Sequence, residues 1–286
     1  MQLEMFEVLQ DHNYTDKRVA IGLSGGINSA AVLCYLVDQV QPEDRPNTLH
    51  LFYAHFSEHS PDTYSFVLAC VDFARKHFNN VVFETTNNSM NRFCTDSLKS
   101  IPPPQSAACT RILKIEPMMQ FMAKYQIDVD LVGYVREEKR RIKRQQKRLK
   151  EKLTKQYPIQ HLSNEDCFNL VKKHIGWYPE IYNIFWTDPK IKTYIKTNTW
   201  FDANQKKLLL SRANRGYGYK VQKRVFGHNN CLPCKNMQGW ELALVECFYP
   251  ALYNQAMQTA CKLNKYWGRK GHYSNENTSC TWCAFD

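Results

Sequence analysis

Two groups of residues in this chain have types and spacing that could do chemistry. Ser24-Gly25-Gly26-Ile27-Asn28-Ser29 follows a short apolar stretch and opens a run with helical periodicity. Glycines let a backbone approach an anion closely, free N–H groups at a helix start point at it, and Ser24 and Ser29 add hydroxyl donors. The same residues also suit a tight strand-to-helix turn with Asn28 or Ser29 as its cap, and taken alone the two readings weigh equally. The segment lacks the Gly-Lys-Ser/Thr of a Walker loop and is not a GxGxxG turn. The second group is thiol. Cys231-Leu-Pro-Cys234 and Cys280-Thr-Trp-Cys283 are two CxxC pairs among eleven cysteines. A two-residue spacer lets both thiolates reach one ion, and two such hooks complete a tetrahedral S₄ site for structural Zn²⁺ or for a [4Fe–4S] cluster. Cys34, Cys70, Cys167, Cys247 and Cys261 sit in apolar or helical surroundings and read as core thiols.

The elements that must position these groups alternate. Arg18 to Leu23 reads as a strand and Ser29 to Val40 as a helix; Thr48 to Phe56 and Asp62 to Phe78 repeat the pair. Val81 to Glu84 and Asp128 to Val135 give further strands, with a helical stretch from Ile115 to Tyr125 between them. Such alternation predicts an α/β fold, a doubly wound and mainly parallel sheet, whose ligands bind at the carboxyl ends of the strands. After Pro158 the composition turns aromatic and polar and the alternation fades. We therefore expect a nucleotide-binding domain over 1–157 and a smaller, irregular, Cys-rich accessory portion over 158–286.

The 286 residues carry a formal charge of +11, and residues 136–155 alone hold eleven Lys and Arg against three Glu. Strong helix formers with sparse Ile142, Leu149 and Leu153 predict a helix there with a thin apolar stripe. A solvated helix is the ordinary reading of a charge run; the one-sided sign favours contact with a polyanion, either a nucleic acid or an anionic nucleotide. The basic, tyrosine-bearing stretches 212–224 and 265–273 read first as loops shielding the core, and second as stacking surfaces for single strands. No apolar run is long enough to span a membrane and no secretory signal is visible, so a cytoplasmic chain is expected.

Five ordered segments resemble the phosphoadenylylsulfate (PAPS) reductase branch of the PP-loop ATP pyrophosphatases. SGGINS is similar to the SGGxDS loop, and His55 to Thr63 (HFSEHSPDT) to DTGxxFPET after the second strand. Cys109 to Pro117 (CTRILKIEP) closely resembles CTxxLKxxP. Gly133 to Arg141 (GYVREEKRR) resembles GxRxxES, and Pro158 to Asp166 (PIQHLSNED) resembles PIxxWsxxD. The resemblance implies that Ser24, Gly25, Gly26, Asn28 and Ser29 hold phosphate or sulfate oxygens, with His55, Gly133 and Arg136 framing an adenine nucleotide. It makes Lys114 and Arg111 anion contacts and Cys109 a candidate nucleophile. The implied ligand is ATP with Mg²⁺, or PAPS, and the implied partners include a thiol or sulfur-carrier protein and a nucleic acid held by the 136–155 helix.

Departures from the family pattern bear on the reaction. Asn28 stands where SGGxDS has Asp, which removes an anion able to help hold Mg²⁺ and shifts weight toward an adenylyl-sulfate ligand. His55 and Ser57 replace Asp and Gly of the second-strand element. CLPC resembles the CxPC of cluster-bearing adenylylsulfate reductases, which carry Cys-Cys where this chain has Ala108-Cys109, so the Cys₄ expectation leans to zinc; a lesser reading gives Cys109 one ligand place beside the nucleotide. The C-terminal ECGLH of true reductases has no counterpart in CTWCAFD. Three functions follow in order: substrate adenylation releasing AMP and pyrophosphate in sulfur or nucleic-acid modification, thiol chemistry on an adenylyl-sulfate, and a metal-stapled nucleic-acid-binding module without catalysis.

Overall fold

Val19–Leu23 (β1) is a β-branched, apolar strand whose Val19, Ala20 and Ile21 are fully buried, as a strand covered on both faces requires. It pairs in parallel with Thr48–Phe56 (β2), Val19 against Leu49 and Leu23 against Tyr53. On its other side it pairs in parallel with Val129–Leu131 (β4), Val19 against Val129. The computed structural model describes residues 13–103, 106–146, 154–199, 201–215, 224–229, 231–237, 239–265 and 267. Asn80–Asn88 (β3) and Thr154–Gln156 (β5) close a five-stranded sheet in the order β3-β2-β1-β4-β5. The strand order reverses between β1 and β4, and that is where ligands of open parallel sheets bind.

The α-helices up to β5 among the described residues are α1 (Ile27–Gln39), α2 (Thr63–His77), α3 (Met90–Arg92), α4 (Ala108–Thr110), α5 (Glu116–Lys124) and α6 (Lys139–Gln146), with π-helical turns at Phe93–Leu98 and Arg111–Ile115. Past the sheet come α7 (Asn164–His174), α8 (Pro189–Thr197), α9 (Ala203–Arg215), α10 (Gly239–Phe248) and α11 (Pro250–Lys262), so the described part of the aromatic-rich portion is largely helical. Their starts are written in the sequence. Ser163 and Asp166 form a reciprocal capping box on α7, and Asp188 caps α8 with Pro189 in its first turn.

The helix expected over 136–155 needs correction. Arg136–Glu138 is a 3₁₀ turn, α6 ends at Gln146, and Thr154 and Lys155 belong to β5. Pairing with β4, with Lys155 opposite Asp130, supplies the backbone partners that a lone TKQ tripeptide does not advertise. Residues 147–153, including Leu149 and Leu153, lie outside the described residues.

The chain clusters into two compact units, each made of three segments. The first runs up to Tyr53 and includes Ser65–Thr85 and Met118–Tyr178. Its core is the sheet and α1, with Ile21, Leu33, Leu36, Leu49, Leu51 and Leu131 each at 1% exposure or less; burying one such side chain stabilises by about 1.5–3 kcal/mol. The second comprises Ala54–Tyr64, Thr86–Pro117 and the chain from Pro179 onward. Met90, Phe93, Cys94 and Ile101 pack there with Ala256 and Ala260 of α11 and with Trp267, and Cys109, Ile112 and Leu113 lie against that cluster. No helix among the described residues is long and apolar enough to cross a membrane.

Candidate active site

In the first unit the turn after β1 is built as a cradle. Gly25 takes φ 73°, a left-handed conformation that glycine alone adopts without strain. Gly26 is the N-cap of α1 in extended conformation, with no side chain closing the helix start and no acidic residue in its first turn. Ser24 N–H donates to Ser29 Oγ at 3.0 Å, Gly26 N–H to Ser24 Oγ at 3.2 Å, and Ser29 Oγ to the Gly26 carbonyl at 3.1 Å. The two hydroxyls lie 3.0 Å apart. This network fixes the loop before any ligand arrives, and the thirteen residues of α1 direct a positive dipole end toward it. Gly25, Gly26 and Ser29 are buried, Ser24 is exposed and Asn28 is half-buried in the first turn.

Gly133, just past β4, completes this wall at the switch point. A Cβ placed on it would lie 2.7 Å from the Asn28 carbonyl oxygen and 3.1 Å from the Ser29 nitrogen. The backbone after β4 therefore lies directly against the first turn of α1, an approach only glycine permits. Three residues on, Arg136 N–H bonds to the Leu162 carbonyl at 2.9 Å, while its charge helps hold the Asp166 carboxyl below the ordinary carboxylate range, an effect led by the Ser163 hydrogen bonds. Tyr134 stacks on Tyr157 with ring centroids 5.6 Å apart, and Arg141 sits 4.6 Å over the Tyr134 ring. Of the basic helix only Ile142 is anchored in the interior among Lys139–Lys143; Lys139, Arg140 and Lys143 are exposed.

The remaining expected residues belong to the second unit. Lys114 Nζ lies 4.9 Å over the Phe56 ring, and His55 is half-buried with its ring 5.0 Å from Tyr64. Arg111 is exposed and its Nε meets Glu116 at 3.4 Å, so it is already engaged with a carboxylate. Cys109, Cys231 and Cys234 share one neighbourhood with Lys114. Burial pushes the Cys231 thiol up to about 12, Lys114 pulling the other way while Cys234 and Cys109 add to the rise; burial raises Cys234 as well. Among the described residues no three His, Cys, Asp or Glu side chains stand at ligand spacing. Cys280 and Cys283, half of the expected Cys₄ set, lie outside the described residues.

Two residues of this unit escaped the sequence reading. Glu58 is 3% exposed and its carboxylate accepts from Ser89 Oγ at 2.6 Å, Met90 N at 2.9 Å and Asn91 N at 3.1 Å. Its carbonyl accepts from Leu232 N, inside CLPC, at 2.7 Å. His59 is buried, and burial together with Lys114 and His55 lowers its pKa to about 3, so it is a neutral imidazole at physiological pH. Both lie within HFSEHSPDT, but a sequence does not reveal that a Glu or a His is buried.

Residues 18–200, more than half of the chain, match the family model for the phosphoadenosine phosphosulfate reductase domain. The chain belongs to that family. Its fold is thus that of the adenine-nucleotide-binding PP-loop proteins, a family of enzymes. A search of curated proteins finds no match. Solved structures similar to it include the phosphoadenylyl-sulfate (PAPS) reductase of Candida auris in a phosphate complex, at 13% identity and TM-score 0.40, covering 58% of this chain and 77% of that one. The U34-tRNA thiolase NcsA of Methanococcus maripaludis with its [4Fe–4S] cluster is similar at 10% identity and TM-score 0.42, covering 91% and 77%. The glutamine-dependent NAD⁺ synthetase of Acinetobacter baumannii in complex with ADP is similar at 15% identity and TM-score 0.38, covering 77% and 45%.

Proposed function

We propose that this member of the family activates a substrate by adenylation, splitting ATP between the α and β phosphates. The observation that carries the reading is the preformed loop, with the Gly133 backbone closing it at the switch point. The acceptor hydroxyl oxygen attacks the α-phosphorus as its proton passes to solvent, the bond to the bridging oxygen breaks, and pyrophosphate departs with the electron pair; a sulfur nucleophile or water then attacks the adenylated carbon of the acceptor, and AMP leaves with the electron pair of the broken carbon–oxygen bond. The N–H groups of the loop and the Ser24 and Ser29 hydroxyls stabilise the charge that develops on the leaving group. Bound Mg²⁺ would neutralise the phosphate oxygens as a Lewis acid. The family resemblance supports Lys114 as an anion contact and Cys109 as a thiol for sulfur chemistry.

The exposed Lys139, Arg140 and Lys143 support a nucleic acid as acceptor, because a one-sided charge run serves a polyanion better than it serves solubility. The accessory thiols Cys231 and Cys234 hold a metal centre, Zn²⁺ or [4Fe–4S], completed by Cys280 and Cys283 or with Cys109 in one place. Such a centre would supply a structural tie, or an iron site for sulfur. A second reading is favoured by Asn28: without an acid in the loop, an adenylyl-sulfate such as PAPS, which needs no splitting of ATP, becomes a fitting ligand.

The test is anaerobically purified protein given α-labelled ATP and Mg²⁺, with and without total nucleic acid, following AMP and pyrophosphate. Release of both products, stimulated by nucleic acid, is expected. No turnover with adenylyl-sulfate binding retained replaces the first reading by the second, and silence in both assays overturns both.

A further inference from the structure

Gly133 has no side chain with which to hold its place against the first turn of α1. It is the centre of a three-residue turn, closed by Tyr134 N–H donating to the Val132 carbonyl at 2.9 Å. The tie of this segment to β5 ends one residue before it, where Val132 N–H donates to the Gln156 carbonyl at 2.9 Å. The side chains that can hold the turn are its successors. Val135 is fully buried, and Tyr134 is half-buried with its ring stacked on Tyr157, centroids 5.6 Å and planes 7° apart. Arg141 of α6 lies 4.6 Å over the same ring, and its charge is answered by Glu138. Tyr157 follows β5 directly and is 3% exposed, yet its hydroxyl has no hydrogen-bond partner among the described residues. A buried phenol gains nothing from an unanswered hydroxyl, so what this position contributes is its flat ring.

We propose that Tyr134 is a positioning residue for the phosphate loop: its ring, held by Tyr157 at the sheet edge and by Arg141 of α6, keeps the Gly133 turn pressed on Asn28 and Ser29. This rests on the reading of residues 24–29 as the phosphate site. The chain of contacts is continuous. Tyr134 fixes the peptide it shares with Gly133, the Gly133 backbone packs on the Asn28 carbonyl and the Ser29 nitrogen, and that turn presents the N–H groups that would meet phosphate. Arg141 thus serves the loop as well as the basic run. Its flat guanidinium face suits a ring in a way that a lysine does not.

The full chain is compared as wild type, Tyr134→Leu, Tyr134→Phe and Tyr157→Phe. Hydrogen exchange of the amides in residues 24–29 reads the loop in the free protein, where Ser24 and Gly26 N–H are hydrogen-bonded. Calorimetry with a non-hydrolysable ATP analogue reads affinity, and thermal melting reads folding. Tyr134→Leu should exchange about tenfold faster across 24–29 and bind about tenfold more weakly. Tyr134→Phe, which keeps the ring, should restore both, and Tyr157→Phe should match the wild type. A side chain that only stabilised the fold would lower the melting temperature and leave the loop amides alone. Wild-type values of either readout in Tyr134→Leu overturn the proposal, and so does a Tyr134→Phe protein as impaired as Tyr134→Leu. If Tyr134→Leu does not fold, Arg141→Lys decides, since it keeps the charge but loses the flat face: part of both effects is expected, and wild-type behaviour overturns the clamp. Faster loop exchange in Tyr134→Leu with no ATP cleavage by the wild type overturns the adenylation reading and leaves this one standing. A wild type that binds no adenine nucleotide overturns the phosphate reading of the loop and this proposal with it.

Discussion

Gly133→Ala is the sharpest test of the wall that closes the loop. The new methyl group would lie 2.7 Å from the Asn28 carbonyl oxygen, 2.8 Å from its carbon and 3.1 Å from the Ser29 nitrogen. All three are backbone atoms, so none can swing aside; reaching ordinary contact at 3.4 Å requires the first turn of α1 and the segment after β4 to part by about 0.7 Å. Overpacking of this kind costs about 1–3 kcal/mol. At roughly 2–4 °C per kcal/mol for a chain of this size, the melting temperature should fall by several degrees. The displaced turn carries the N–H groups that would meet phosphate, and a misplacement approaching 1 Å costs up to about 100-fold, so adenine-nucleotide affinity should drop about tenfold or more. Thermal scanning and titration calorimetry with a non-hydrolysable ATP analogue read the two effects. Gly22→Ala is the control: its Cβ would meet only the Met118 side chain, Cε at 3.5 Å and Sδ at 3.9 Å, in ordinary contact. A Gly133→Ala protein that melts and binds like Gly22→Ala refutes the argument.

Other perturbations follow from the same geometry. Ser29→Ala deletes the acceptor of Ser24 N–H and the donor to Gly26, and should destabilise by about 1–3 kcal/mol with weakened nucleotide binding, read by urea unfolding and calorimetry; unchanged values would mean the loop is not held by this hydroxyl. Asn28→Asp should raise Mg²⁺-dependent pyrophosphate release several-fold if the chain adenylates, whereas no gain points to the adenylyl-sulfate ligand. Asp130, 7% exposed in β4, keeps its proton up to about 6 through burial, with Lys155 opposing. The folded form thus holds a proton that the unfolded chain gives up near 3.8, so the stability this confers is full below that pH and is lost as pH rises through 6, a fall of roughly 3 kcal/mol. Asp130→Asn should flatten the urea midpoint between pH 4 and 8 relative to the wild type; parallel curves for the two proteins would contradict this.

What the sequence made readable is what depends on neighbours along the chain. β2 runs over Thr48–Phe56, the bounds its apolar stretch predicts, and α1 and α2 lie within two residues of theirs, because burial on a sheet imposes its own periodicity. The loop Ser24–Ser29 is legible for the same reason: its hydrogen bonds join residues at most five positions apart. β5 was hidden because three polar residues become a strand only by pairing with β4. Glu58 and Lys235 were hidden because a charge can be buried only with partners supplied from elsewhere: Ser89 to Asn91 for one, Pro103 for the other. The nearness of Cys109 to CLPC belongs to the same class of long-range fact, whereas CxxC spacing by itself announces only a hook.

The interleaving of the two units also constrains how the protein comes into being. Ala54–Tyr64 and Thr86–Pro117 leave the ribosome early, yet the unit they belong to is finished only by the chain from Pro179 onward. The sheet unit in turn waits for Met118–Tyr178. A nascent chain halted near Pro158 would expose the faces of both unfinished units, with the thiols of Cys94 and Cys109 uncovered. Release and maturation should therefore be strongly cooperative, and sensitive to chaperones and to oxidants during synthesis. A gene truncated at that point should yield aggregate rather than a small nucleotide-binding domain.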